Sequence, residues 1–380
     1  MFHRLIGVAS VVICLGLTLS SADADITTTA NHALLMDAQS GDVLWQKDAE
    51  TPMPPASMSK LMTLELLFQR IKDGRVKLKD TFPVSERAWR ERAGSECFVN
   101  IGDRMTVESL IQCIIIVSGN DSTIVVAEAL GGTVEGFVTM MNARSRELGL
   151  KQSHFVNPDG LDVPPGQMMS ALDLAKLARH IIYAYPNLYH YFGEKDFVWS
   201  NIHQPNRNPL LFNTPGADGL KTGHIEASGY GLVGSAARDG RRIIVVLNGL
   251  ASEKDRADEG ARMIEAGFRE FRRYQLFKPG DSIAEADVYG GSDKTVPLTV
   301  KTPVVVTLQV DSRPGMKVAV HYNSPLAAPI AQGQRVGTLS VTAPDFPGVT
   351  TPLYAAHDVA KVGIFGRMML GIRALFGGNK

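Results

Sequence analysis

The sequence predicts a mixed α/β (α+β) domain, a smaller all-β domain behind it, and an amphipathic helix at the end of the chain. Three observations point there. Apolar residues recur at helical spacing in several segments, with β-type runs before and after them. Near Lys278-Pro279-Gly280 the helical runs stop, and short β-type segments follow, broken by Pro, Gly and Asp. Lys361 to Phe376 then returns to helical spacing with one broad apolar side. A chain of 380 residues suits one large domain plus a smaller one. The expected divisions are 1–24, 25–278, 279–355 and 356–380.

The first division reads as a signal peptide rather than as structure. Arg4 supplies the positive charge, Leu5 to Leu19 is nearly unbroken apolar sequence, and Ala22-Asp23-Ala24 offers a small-x-small cleavage pattern. The alternative, a retained anchor, meets a run that is short for a bilayer span. The mature chain is therefore expected outside the cytoplasm.

Ala33 to Asp37 reads as a strand, Gln39-Ser40-Gly41-Asp42 as a turn, and Val43-Leu44-Trp45 as the returning strand. Pro52, Pro54 and Pro55 make a rigid approach to Ser57. Leu61, Leu64, Leu67, Phe68 and Ile71 then mark a helix stopped by Gly74. Thr106 caps a second helix through Leu110, Ile114 and Ile115. Helical spacing resumes at Asp121 and continues through Val125, Val126, Ala129 and Leu130. Further helices are expected over Glu135 to Leu150 and Ser170 to Ile182, the latter with Ser170 as cap and Asp173 in its first turn. Tyr230 to Ala236 and Arg242 to Leu247 read as strands joined at Asp239-Gly240, a strong hairpin signal. Beyond residue 278 the β segments are Val296 to Val300, Val304 to Val310, Met316 to His321 and Val336 to Val341.

Charge excludes one class of partner. Lys plus Arg equals Asp plus Glu at 39 each, so no net basic field exists to hold nucleic acid. The His residues lack paired ligand spacing, so neither a metal nor another cofactor is expected. Cys97 and Cys113 outlast signal cleavage; two thiols or one disulfide both fit an oxidising compartment.

The chemistry lies in three short motifs. Ser57-Met58-Ser59-Lys60 puts a hydroxyl and an amine one helical turn apart, on one face and at a helix start. Ser118-Gly119-Asn120 occupies the break between two helices, where side chains can enter a cleft. Lys221-Thr222-Gly223-His224 precedes the hairpin, and Gly223 is expected to let substrate approach the backbone closely. Each motif alone is weak, but the three in this order belong to serine acyl transfer.

With these motifs the chain resembles the D-alanyl-D-alanine carboxypeptidases, the low-molecular-mass penicillin-binding proteins of bacteria. Gly94-Ser95 with Phe98-Val99, Leu148-Gly149-Leu150, Gly160-Leu161, Asn206-Arg207-Asn208 and Ala227 to Tyr230 extend the likeness over nearly all the mature chain. The resemblance implies a β-lactamase/transpeptidase-like domain whose antiparallel sheet is flanked by helices. It implies Ser57 as nucleophile, Lys60 as general base with its pKa depressed by burial and by Lys221, and Ser118 as proton relay. Asn120 would hold the substrate amide and orient Lys60. The N–H groups of Ser57 and His224 would form the oxyanion hole, and Thr222 and Arg256 would receive the terminal carboxylate. From sequence alone, Arg256 is one residue in the charged run Glu253 to Glu259. The implied partners are peptidoglycan stem peptides, β-lactams as inhibitors, and a membrane surface met by the last helix. In that helix Phe365, Met368, Met369, Ile372, Leu375 and Phe376 share a side flanked by Arg367 and Arg373. The alternative for it is docking on the protein's own body.

This chain departs from the family at three places. Asp159 stands where many relatives carry histidine, Met168-Met169 replaces a more polar pair, and Cys97 lies where Met is usual. Two other readings compete. A class A β-lactamase shares the fold, but the sequence has no E-x-x-L-N string and a β-rich extension that such enzymes lack. A non-catalytic wall-binding scaffold would have no use for the intact motifs.

Overall fold

The computed structural model describes residues 26–91 and 93–363. The expected signal peptide and all but the first residues of the expected terminal helix lie outside this range.

The first domain is built on a five-stranded antiparallel sheet. Across it run Val43–Lys47, His32–Asp37, Arg241–Leu250, Gly229–Arg238 and Ala217–Ile225, so the strand carrying Lys221 to His224 is an edge. Alternation along Arg241–Leu250 shows how the sheet serves two cores. Ile243, Val245 and Leu247 pack with Met263 and Ile264 of the helix Glu253–Arg269. Ile244 and Val246 face the other way, into a larger core with Leu61, Leu64 and Phe68. That core is completed by the helices Lys60–Lys72, Asn120–Gly131, Val134–Glu147 and Ala171–Ala184. The expected caps are present: Thr106 accepts from Ser109 N–H and Ser170 from Asp173 N–H. Asp239 and Gly240 both take positive φ, the backbone of a tight primed hairpin turn.

Two strands of the hairpin outrun their expected bounds, and the helix Glu253–Arg269 was not foreseen. Its N-terminus is capped by Ser252, whose hydroxyl accepts from Asp255 N–H.

The second domain is β throughout, apart from a 3-10 turn at Val310–Gly315. Its six-stranded sheet and the pair Phe271–Phe277 with Val304–Gln309 enclose Val296, Leu298, Val306, Leu339, Val341 and Leu353. The division at 278/279 therefore cuts through this unit, because Tyr274, Leu276 and Phe277 pack on its core. The division at 355/356 does the same. Val359 bridges Ile330 and Lys361 bridges Gly291, so residues 356–361 belong to the β domain rather than to a helix. A buried contact joins the two domains. Asp37 accepts from Arg241 on the neighbouring strand, and from Thr307 of the second domain.

Candidate active site

Ser57 lies in a 3-10 turn, Ala56–Ser59, that runs straight into the helix Lys60–Lys72. Ala56 sits at φ +49, a region that alanine rarely enters, so the turn is held by its surroundings. Gly160 is one of them. At φ +86, any Cβ there would lie 2.1 Å from the Ala56 carbonyl oxygen. Gly223 is another. Its ideal Cβ would lie 3.0 Å from the Pro55 oxygen and 3.1 Å from Ala56 Cβ. The glycine of the third motif thus seats the edge strand against the nucleophile's turn, a role in packing where substrate approach was expected.

Lys60 is fully buried, and its Nζ donates to three acceptors: Ser57 Oγ at 2.7 Å, Asn120 Oδ1 at 2.6 Å and the Asp159 carbonyl at 2.5 Å. Ser57 Oγ has a long 3.5 Å contact to the same carbonyl. The Lys60 amine is lowered to about 8: burial is the main cause and Arg207 adds to it, while Asp159 and Asp121 oppose the fall. Arg207 disfavours the charge on Lys60, and the two buried amines Lys60 and Lys221 disfavour each other's. Lys221 is itself buried, and lies well below its ordinary value through burial and then Lys60, Arg207 and Arg256.

The second pair completes the cleft. Lys221 Nζ donates to Ser118 Oγ at 2.9 Å and to the Thr222 carbonyl at 3.1 Å. Ser118 is presented by an unusual helix end. The helix Val107–Gln112 widens into a π turn over Cys113–Val117 and stops at Ser118, which takes the left-handed φ of 64. Asn120 then opens the next helix, its N–H donating to the Ser95 carbonyl at 2.7 Å and its Nδ2 to the Ala93 carbonyl. Cys97 and Cys113 are joined in a disulfide, which fastens the 93–99 loop to the start of that π turn. Asp121, buried behind it, accepts from the N–H groups of Cys97 and Ser122.

Arg256 is 6% exposed, whereas Glu253, Lys254 and Asp258 around it are exposed. Its guanidinium lies 5.5 Å from the Tyr230 ring, which stacks on His224 at 3.9 Å. Its Nε is buried without a hydrogen-bond partner among the described residues. Thr222 is buried beside Lys221, and His224 is exposed on the edge strand. Arg256 reaches the cleft through this stack and through its field on Lys221.

Gln167 and Asn157, which sequence reasoning passed over, hold the site together with Arg207 and Met169, which it named without a role. Gln167 accepts from Val156 and Asn157 N–H and donates to Ser59 Oγ. Asn157 accepts from Gly160 N–H at 2.8 Å and donates to the Leu161 carbonyl. Together they shape the loop that presents the Asp159 carbonyl. Arg207 donates to Ser95 Oγ, across the cleft from its own segment. Met169, one of the departures, is fully buried and pairs through its backbone with Met53.

The convergence of serine, two lysines and an asparagine on one cleft at a sheet edge matches known proteins. Residues 18–251 fit the family described as D-alanyl-D-alanine carboxypeptidase, peptidase S11, and residues 271–361 fit the C-terminal domain of penicillin-binding protein 5. The chain is 33% identical to the D-alanyl-D-alanine carboxypeptidase DacA of Haemophilus influenzae, over 92% of this chain and 91% of that one. Penicillin-binding protein 5 of the same organism superposes with a TM-score of 0.77 at 33% identity, covering 88% of this chain and 99% of that chain. Penicillin-binding protein D2 of Listeria monocytogenes, solved in its ampicillin-bound form, gives 0.57 at 25% identity over 64% of this chain and 99% of its own. A serine peptidase site, a matching catalytic domain and a matching second domain leave one assignment: the chain belongs to the D-alanyl-D-alanine carboxypeptidase family.

Proposed function

We propose that this enzyme removes the terminal D-Ala from peptidoglycan stem peptides through a Ser57 acyl-enzyme, and that β-lactams acylate the same serine. The carrying observation is the bond from Lys60 Nζ to Ser57 Oγ at 2.7 Å, in a site that lowers the lysine to about 8. An amine so placed is free base often enough near neutrality to take the serine proton.

As free base, Lys60 accepts the Ser57 proton while Oγ attacks the carbonyl of the penultimate D-Ala. The developing oxyanion is met by the N–H groups of Ser57 and His224, the first at a helix start and the second on the edge strand. Asn120 holds the substrate amide and keeps Lys60 aimed. The peptide lies along the edge strand, whose outer side has no neighbouring strand among the described residues. Ser118, oriented by Lys221, passes a proton to the departing D-Ala nitrogen. Thr222 and Arg256 receive the terminal carboxylate. The unpartnered Nε of Arg256 suits a planar anion. Water then hydrolyses the acyl-enzyme and restores the Ser57 hydroxyl.

A fluorescent penicillin and intact-mass spectra test this reading. One adduct is expected, absent from Ser57→Ala; an adduct that survives the change, or maps to Ser118, overturns it.

The enzyme works on the outer face of the cytoplasmic membrane, held there by the apolar side of residues 361–376. What supports this is the leader pattern and the terminal stripe in the sequence; the β domain would act as spacer. Truncation at 363 is expected to release active protein from membranes, and a full-length mature chain that never pellets with them refutes the anchor.

A further inference from the structure

Arg256 brings a cation to the cleft with few polar contacts to hold it there. It stands in the first turn of the helix Glu253–Arg269, buried, and its Nε has no hydrogen-bond partner among the described residues. Glu253 lies 3.5 Å from its Nη2, but that carboxylate side chain is 76% exposed, so solvent weakens the pair. The Tyr230 ring meets the guanidinium instead, with Cζ 5.5 Å from the ring centroid. Tyr230 is itself fixed in the sheet, paired with His224 on the edge strand and with Leu250 on its other side. The His224 imidazole stacks on its ring at 3.9 Å.

We propose that Tyr230 is a positioning residue of this enzyme: its ring holds the Arg256 guanidinium so that the N–H groups stay open to the substrate's terminal carboxylate. The inference rests on the reading of Arg256 as the receiver of that carboxylate.

The chemistry of the contact favours a ring over a carboxylate as the holder. An aromatic face attracts the guanidinium through its π cloud and uses none of its N–H donors. A buried carboxylate would fasten the same group more firmly, but would take the bidentate fork that the substrate needs. The same sheet shows that second outcome. Arg242 lies over the Tyr189 ring at 5.2 Å, and Asp218 already fills its fork, Nη1 and Nη2 each donating to one carboxylate oxygen at 2.7 Å. Arg256 has the ring, but its pair with Glu253 is single and long. The substrate's carboxylate thus takes at Arg256 the place that Asp218 has at Arg242. Through His224 the stack also ties Arg256 to the strand that carries Thr222, the other proposed contact of the carboxylate.

The test compares two values of kcat/KM for the mature protein: one for a peptide ending in D-Ala-D-Ala, the other for the same peptide amidated at its C-terminus. Tyr230→Leu keeps apolar bulk in the strand and removes the ring face. It should lower the ratio of acid to amide about three- to tenfold, the size of a desolvated cation–π contact. The loss should appear in KM rather than in kcat, since the carboxylate is bound before the reaction as well as during it. Tyr230→Phe keeps the ring and should restore the wild-type ratio. Tyr230→Ile, a residue at home in strands, gives the same reading if the Leu variant fails to fold. In an Arg256→Ala background the Tyr230 change should shift the ratio no further, because the group it positions is gone. A wild-type ratio in the folded Tyr230 variants, or a shift that persists in full without Arg256, overturns the proposal. Arg256→Ala alone should lower the ratio about ten- to a hundredfold. An unmoved ratio there instead removes Arg256 as the carboxylate site, a separate failure.

Discussion

Lys60 and Glu65 stand on one helix, both buried, and the protein treats the two charges in opposite ways. Lys60 is met by one carbonyl, one amide oxygen and one hydroxyl, in a cleft that also holds Lys221. Burial wins there, and the amine falls to about 8. Glu65 Oε1 accepts from Arg144 Nε at 2.8 Å and Tyr185 OH at 3.0 Å, with His180 Nε2 at 3.3 Å. Burial pushes that carboxyl up, but the bonds and charges of His180 and Arg144 win, and it stays below its ordinary value. The contrast separates a site kept ready to lose its charge from one built to keep it. The first gives up stability for chemistry; the second ties the nucleophile helix to the helices Val134–Glu147 and Ala171–Ala184.

The largest break in this comparison is Lys60→Met. It removes the base without changing side-chain bulk much, so acylation by a fluorescent penicillin should fall by about 10²- to 10⁴-fold. Stability at pH 7 should stay within about 1 kcal/mol of wild type, because relief of the buried amine offsets the bonds lost at Asn120 and Asp159. Urea unfolding checks this. A large loss of stability would show that Lys60 is held as firmly as Glu65, and the contrast would fail.

The same variant sharpens the comparison in alkali. Between about pH 8 and the ordinary lysine value of 10.5, the unfolded chain binds a proton at Lys60 that the folded chain does not. Folding stability therefore rises with pH across that window, by on the order of 3 kcal/mol from this residue. Lys60→Met should remove that part of the rise. Urea midpoints measured at pH 8, 9 and 10 for both proteins decide it; parallel pH dependence would mean the amine is not depressed.

The two regions also differ in how much of them the sequence shows. The catalytic pairs were legible because each lies in a short motif, and Ser57 and Lys60 are one helical turn apart. Gln167 was not, nor were the contacts of Asp159 and Arg207, because loops distant in sequence bring them to the cleft. The one local hint was Asn157, three residues before Gly160, whose side-chain oxygen accepts the Gly160 N–H. Glu65, Arg144, His180 and Tyr185 come from three helices, and nothing in their spacing announces a meeting. Fold legibility followed the same rule. The helix Glu253–Arg269 buries Gly260, Ala266 and Gly267 alongside Met263 and Ile264, so its inner side lacks the usual large apolar pattern. Its cap, Ser252 with Asp255, was the available signal. Phe271–Phe277 hid for a different reason: a register shift between Gln275 and Phe277 breaks the alternation that marks a strand. Arg256 sits between the cases, since its charged neighbours conceal that it alone of that run turns inward and is 6% exposed.

Glu65→Gln is the converse change and the smaller one. It keeps the shape and one acceptor but removes the charge that Arg144 and His180 face. Losing one partner of a buried pair costs about 3–5 kcal/mol when the other is stranded. Arg144 is not stranded, because it also holds Glu147 at 2.8 Å and is 16% exposed. The expected loss is therefore about 2–3 kcal/mol at neutral pH. The pH dependence follows from the direction of the shift. A carboxyl held below its unfolded value stabilises the fold above that value, and the stability is lost as pH falls through the folded one. The gap between wild type and Glu65→Gln should thus be widest near neutrality and close in acid. Acylation by the folded variant should match wild type, since Glu65 bonds to nothing in the cleft. Urea unfolding at pH 7 and pH 4, with penicillin labelling alongside, tests all three points. A gap that stays constant in acid would show that Glu65 serves by shape rather than charge, and a matching loss of labelling would join the two regions that the comparison holds apart.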